Sequence, residues 1–128
     1  FYVEDYDEKV LRNCKKEIID KGGHIFFAIF KSQVVGTMAL IPREDGIYEL
    51  NKMAVKKELR GNGVGHQLIQ FIIDYSVKNR FKSVVLYSNT VLKNSIHLYN
   101  KFGFKEIDNP DAPYDRSDIK MELKLSDL

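Results

Sequence analysis

Cysteine, proline and net charge are all scarce in this sequence, and no apolar run is long. The 128 residues include one cysteine, Cys14, and three prolines. A single thiol cannot close an internal disulfide or build a multi-cysteine zinc site, and no metal is expected. No apolar stretch approaches the ~20 residues that a bilayer-spanning helix needs, so no membrane partner is expected. Phe1-Tyr2-Val3-Glu4-Asp5 is acidic and has no apolar targeting core, unlike a secretory signal. Lys and Arg total 20 against 18 Asp and Glu, a net charge of +2. That balance argues against a dedicated nucleic-acid partner. With these exclusions the cytoplasm is the default location. What is present suits an ordinary globular protein, with 44% apolar and 30% charged residues. No repeat, low-complexity tract or Pro/Gly/Ser linker divides the chain. Its length suits one domain, 1–128, able to bury a core unaided. It begins with Phe rather than Met, which points to a processed chain or to an N-terminally incomplete one.

Periodicity then orders the elements. Glu4 to Asp20 is charged, with Val10, Leu11, Cys14 and Ile18 on one helical face, so a helix with Cys14 in its buried stripe is expected. Gly22-Gly23 would stop it. Ile25–Phe30 and Val34–Ile41 read as two strands of a hairpin around Lys31-Ser32-Gln33. Pro42 and Asp45-Gly46 mark a turn. Ile47–Val55 reads as a third strand, with Tyr48, Leu50 and Lys52 on one side and Ile47, Glu49, Asn51, Met53 and Val55 on the other. A helix over Val64–Asn79 carries the stripe Val64, Leu68, Phe71, Ile72 and Tyr75, widened by Ile69 and Ile73. Ser83–Ser88 is a compact buried strand. Lys93–Phe102 is a second helix, and Phe104–Ile107 and Ile119–Leu125 are the last strands. The order implies an α/β (α+β) fold, a mixed and mostly antiparallel sheet flanked by helices, with one parallel crossover in the middle.

Residues 50–68 carry the chemistry. A strand ends at Val55, Arg60 opens a loop with glycine at alternate positions, and a helix follows at once. Helix N-terminal amides are unpaired and the dipole is positive there, so an anion is favoured. Glycines let the backbone approach that anion, and the Arg60 guanidinium suits phosphate. Together they describe a phosphate or pyrophosphate cradle. Two common motifs fail. No Gly is followed by Lys-Ser or Lys-Thr as a P-loop requires, and His66 stands where a dinucleotide fingerprint needs its third glycine. Arg60, Gly63 and Gly65 fit Arg-x-x-Gly-x-Gly instead.

That pattern, after a strand ending Met53-Ala54-Val55, resembles the acetyl-CoA loop of the GCN5-related N-acetyltransferases (GNAT). Leu98-Tyr99-Asn100-Lys101-Phe102-Gly103-Phe104 is similar to the family's second signature, Leu-Tyr-x-x-x-Gly-Phe. The resemblance covers roughly residues 22–125. It implies an N-acetyltransferase that moves an acetyl group from acetyl-CoA, as cosubstrate, to a primary amine by direct attack in a ternary complex. The acceptor would be a small-molecule or peptide amine. It further implies that the backbone of Met53, Ala54 and Val55 bonds the pantetheine arm and that the amides of Arg60, Gly61, Asn62, Gly63, Val64 and Gly65 hold the pyrophosphate. Tyr99 would protonate the leaving thiolate, and Glu49 falls where some members carry a general base. Leu92 stands where many members have the asparagine that contacts pantetheine, and Asn89 or Asn94 is the candidate substitute. The loop from Asn109 to Ser117 borders the acceptor site in the family, so Tyr114, Asp115 and Arg116 are candidates for substrate binding.

Each reading has a plainer rival. Tyr99 on an apolar face is by default a core tyrosine. Glu49 on a strand is by default a solvated edge carboxylate. His66 and His97 read as solvent-facing, and His24 only marginally as an acceptor-pocket residue. Lys56-Lys57 is a solvated turn that at most assists the 3′-phosphate of CoA. The family's first strand and helix have no apparent room before the expected helix at Glu4. An open sheet edge, prone to pairing with a second copy as a homodimer, follows from that. A catalytically silent acyl-CoA-binding or regulatory module on the same fold, and an unrelated nucleotide-binding domain, stay open as alternatives.

Overall fold

The computed structural model describes residues 2–5, 22–108 and 117–128. The expected stripe at Val10, Leu11, Cys14 and Ile18, and Tyr114, Asp115 and Arg116, lie outside the described residues. The strands are β1 (Tyr2–Asp5), β2 (His24–Phe30), β3 (Gln33–Pro42), β4 (Ile47–Val55), β5 (Ser83–Ser88), β6 (Lys105–Ile107) and β7 (Ile119–Lys124). The helices are α1 (Val64–Lys78), between β4 and β5, and α2 (Lys93–Lys101), between β5 and β6. They make one seven-stranded sheet of order β1-β2-β3-β4-β5-β7-β6. Among the described residues only β4 and β5 pair in parallel, as the α1 crossover between them requires.

Local chemistry accounts for most boundaries. Lys31 and Ser32 both take positive φ (50° and 63°), the backbone twist a tight hairpin needs between β2 and β3. The expected helix from Glu4 fails at its first two residues, because Glu4 and Asp5 are in β1 and pair with Phe27 and Phe26 of β2. Charge and apolar spacing favoured a helix there, and cross-strand pairing overrides such local preferences. The edge of β2 that was expected to be open is therefore covered by β1.

α1 holds the sheet from one side. Val64, Leu68, Ile69, Ile72 and Ile73 are buried against Phe26, Met38, Leu40, Leu50, Val84 and Leu86. Each such side chain contributes about 1.5–3 kcal/mol relative to exposure. On the opposite face Ile25, Phe27, Ile29 and Ala39 form a second cluster. β2 thus alternates two buried faces, which is why it reads as a near-continuous apolar run.

Candidate active site

The site begins where the central pairing stops. β4 and β5 are in register only at Ile47–Glu49 against Ser83–Val85. Past Glu49 the two strands part, and the gap opens into a cleft. A second irregularity lies on the other edge of β4. Pairing with β3 passes from Ala39↔Asn51 to Thr37↔Ala54, so one β3 residue between them opposes two of β4. That extra residue is a β-bulge, which bends the strand and switches its faces. Tyr48 and Leu50 pack on the α1 core before it, and Met53 and Val55 do so after it. Strict alternation had set Met53 and Val55 opposite Leu50, so the bulge corrects that reading.

Two cavities fill the cleft. One, of about 670 Å³, is lined by Glu49, Leu50, Asn51 and Met53 of β4, by Leu86, Tyr87 and Ser88 of β5, and by Asn89 and Ser117 among others. The other, of about 660 Å³, runs past Met53, Ala54 and Val55 to Arg60, with Lys93 and Asn94 on the far wall. Both share Met53, Val91, Leu92, Ser95 and Tyr99. Tyr99 thus stands at their junction. Its hydroxyl donates to Met53 Sδ at 3.9 Å, and burial raises the phenol above the ordinary tyrosine value.

The anion cradle lies at the start of α1. Arg60 Nε donates to the Val55 carbonyl at 3.2 Å, which ties the guanidinium to the end of β4. Gly61 and Gly63 take φ of 85° and 81°, and Gly63 is the N-cap of α1. An added Cβ at either glycine would meet nothing within 4 Å. The open space and the left-handed backbone together suit a ligand laid across the loop. Val64 is buried and packs inward, while Asn62 is exposed. The amides of the first turn of α1 have no partner within the helix. A pyrophosphate fits this donor set.

Glu49 is 3% exposed and is not a solvated edge carboxylate. Arg43 donates to its Oε1 through Nε at 2.9 Å and Nη2 at 2.7 Å, and Asn51 Nδ2 donates to Oε2 at 3.1 Å. Asn89 turns its side chain back on its own loop, where Oδ1 accepts from the Val91 amide at 3.0 Å. Asn94 faces the second cavity. His24 lies elsewhere, its Nδ1 3.0 Å from the Tyr75 hydroxyl in an aromatic cluster with Phe26, Tyr48 and Phe81. The exposed His66 packs its ring 4.7 Å from that of Phe102. Sequence reasoning missed Asn51, Tyr87 and Ser88, while Ser117 ends the loop expected to border the acceptor site. The alternation of β4 placed Asn51 beside Glu49 and was the available signal for it. Tyr87 and Ser88 depend on strand pairing distant in sequence.

Residues 1–104 match the model of the Acetyltransferase (GNAT) family. The chain belongs to that family. Among GNAT relatives, "Probable N-acetyltransferase 14" of Xenopus tropicalis is 35% identical over 83 residues, 63% of this chain and 40% of that protein. N-acetylaspartate synthetase of Danio rerio is 34% identical over 88 residues, 67% of this chain and 31% of its own length. The matched part therefore spans less than half of either relative. A solved GNAT acetyltransferase of Elizabethkingia anophelis with acetyl-CoA bound superposes with a TM-score of 0.79 at 16% identity, covering 96% of this chain and 97% of that one. It shares the mixed, mostly antiparallel fold. Among the described residues no helix is long and apolar enough to cross a membrane.

Proposed function

We propose that this chain transfers an acetyl group from acetyl-CoA to a primary amine by direct attack. The observation that carries the reading is the cleft between β4 and β5, whose two cavities share Met53, Ser95 and Tyr99 and reach from Glu49 to Arg60. CoA would lie along the second cavity, with its pyrophosphate on the amides of residues 61–65 beside Arg60. Acetyl-CoA supplies an activated thioester. The backbone of β4 at Met53–Val55, beyond the end of its pairing with β5, orients the pantetheine arm and polarises the thioester carbonyl. Asn94 takes part of the polar role that Leu92 cannot fill.

The acceptor amine enters the first cavity, between Glu49 and Ser117. Attack forms the C–N bond and breaks the C–S bond. Glu49, directly or through a water, takes the proton that the nitrogen loses, and Tyr99 gives its proton to the sulfur. An amino-acid, small-molecule or peptide amine all suit this description, and the name of the Danio rerio relative supports an amine on a small molecule. Tyr114 and Arg116 are proposed to select among them. The tight pairing of Glu49 with Arg43 favours one other reading, a non-catalytic acyl-CoA-binding module, because both carboxylate oxygens already accept hydrogen bonds.

One experiment separates the two. The chain is titrated with CoA by calorimetry, then incubated with acetyl-CoA and a panel of primary amines while thiol release is followed. Amine-dependent thiol release is the expected result. CoA binding with no release above hydrolysis across the panel would favour the silent module, and absence of CoA binding would sink both.

A further inference from the structure

α2 packs on the core only through part-buried side chains, Ile96, Leu98 and Tyr99. None of its nine residues is buried, and its N-cap is Leu92, which makes no side-chain cap. Leucine has no oxygen with which to satisfy the first-turn amides. The preceding loop is no better anchored by burial, since Val91 is 77% and Leu92 53% exposed. Yet this loop and helix supply Val91, Leu92, Ser95 and Tyr99, the wall common to both cavities. The helix has apolar contacts with the core through Ile96, Leu98 and Tyr99, but something other than apolar burial must fix the loop ahead of it.

A run of hydrogen bonds does so from across the sheet. β7 pairs with the end of β5, Ile119 opposite Ser88, and the Asp118 amide donates to the Ser88 carbonyl at 3.0 Å. The Asp118 carboxylate then reaches beyond the strand end. Its Oδ1 accepts from the Thr90 amide at 2.8 Å, and its Oδ2 accepts from the Thr90 hydroxyl at 2.7 Å. From Thr90 the order passes forward. The Val91 amide is held by Asn89 Oδ1, the Leu92 amide donates to the Asn89 carbonyl at 2.9 Å, and the Ile96 amide to the Leu92 carbonyl at 3.0 Å. The Thr90 bonds also hold the Asp118 carboxyl below the ordinary carboxylate range, so the tether is charge-assisted at neutral pH. Neither Asp118 nor Thr90 lines either cavity.

We propose that Asp118 is a positioning residue of the cleft: through Thr90 it fixes the β5–α2 loop, and with it the helix that carries Ser95 and Tyr99. The inference rests on the reading of the cleft as an acyl-CoA site. It assigns a role in CoA binding and turnover to a residue at the start of β7 that itself lines neither cavity.

The test compares Asp118→Ala, Thr90→Val, Thr90→Ser and the Asp118→Ala/Thr90→Val pair in the 128-residue chain. CoA affinity is read by calorimetry, kcat on the best amine of the panel, and exchange of the Thr90 and Val91 amides by NMR, with melting as a control on folding. Asp118→Ala should weaken CoA about 5-fold and lower kcat, with faster exchange at Thr90 and nearly unchanged melting. Thr90→Val should do the same to a smaller degree, Thr90→Ser should restore the parent, and the pair should be no worse than Asp118→Ala alone, since both act on one tether. If Asp118→Ala does not fold, Asp118→Asn, which keeps one accepting oxygen, takes its place in the same comparison. CoA affinity and kcat within about twofold of the parent in the folded Asp118 variant would overturn the proposal. So would a Thr90→Ser variant as impaired as Thr90→Val. A parent that binds no CoA overturns the reading of the cleft, and the proposal with it. Amide exchange distinguishes that failure, because the tether between Asp118 and Thr90 would still register there.

Discussion

At the residue scale the proposed chemistry turns on two side chains in unlike surroundings. The Tyr99 hydroxyl sits where the cavities meet and donates to the Met53 thioether, and burial raises its pKa. A raised value keeps the phenol protonated at neutral pH, the state a proton donor needs. Tyr99→Phe removes only the hydroxyl, so kcat should fall about 100-fold, at the lower end of general acid catalysis, with CoA affinity within about twofold. Steady-state kinetics with thiol release monitored checks this, and a kcat within twofold of the parent would assign Tyr99 to packing. The folded state holds that proton more tightly than the unfolded chain. Its contribution to stability is therefore present below the usual tyrosine range and lost as pH rises through the raised value, so the Phe variant should resist alkali better in melts above pH ~10. Glu49 differs because Arg43 and Asn51 hold it. Glu49→Gln should lower kcat by about 10- to 100-fold if it takes the proton through water, and an unchanged kcat in a folded variant would remove it from the mechanism. The place of Tyr99 on the helix that walls the cleft was legible because its signature is local. The burial of Glu49 was not, because it depends on Arg43 folding back across a turn.

Elements show the same division. Helix and strand boundaries set by turn residues were legible: β4 and β5 begin and end where alternation and punctuation put them, and α1 ends within a residue of expectation. The bulge in β4 and its parting from β5 were not, since register is a property of two strands and the sequence lists one at a time. Those two features make the cleft, so the site was visible as motifs before it was visible as a cavity. The glycine loop can be tested by itself. Gly63 caps α1 at φ 81°, a region that β-branched residues avoid. Gly63→Val should lower CoA affinity at least ~10-fold, equivalent to about 1.4 kcal/mol. Calorimetry measures it, with a melt to show that the variant folds, and unchanged affinity in a folded variant would dismiss the cradle.

For the whole molecule the deciding edge is β1. Four backbone pairs join Tyr2–Asp5 to β2, and β2 in turn carries both apolar clusters, Phe26 and Ala28 on the α1 side and Ile25, Phe27 and Ile29 on the other. A short outer strand in that position shields the most apolar strand of the sheet from other chains. The sequence suggested an edge left bare and a second copy drawn to it. Among the described residues the outer strand is instead β1, a segment of four residues, where pairing has little length to build on. Deleting residues 1–5 would restore the bare edge. Losing the ladder bonds, each worth about 0.5–1.5 kcal/mol net, should lower the melting temperature by about 5 °C or more. The unpaired N–H and C=O groups of β2 should then recruit another chain, so light scattering should report concentration-dependent association that the parent lacks. CoA affinity should change little, because β3 and β4 stand between this edge and the cleft. A deletion variant that melts with the parent and stays monomeric would mean that β1 contributes neither stability nor protection, and the edge argument would fail.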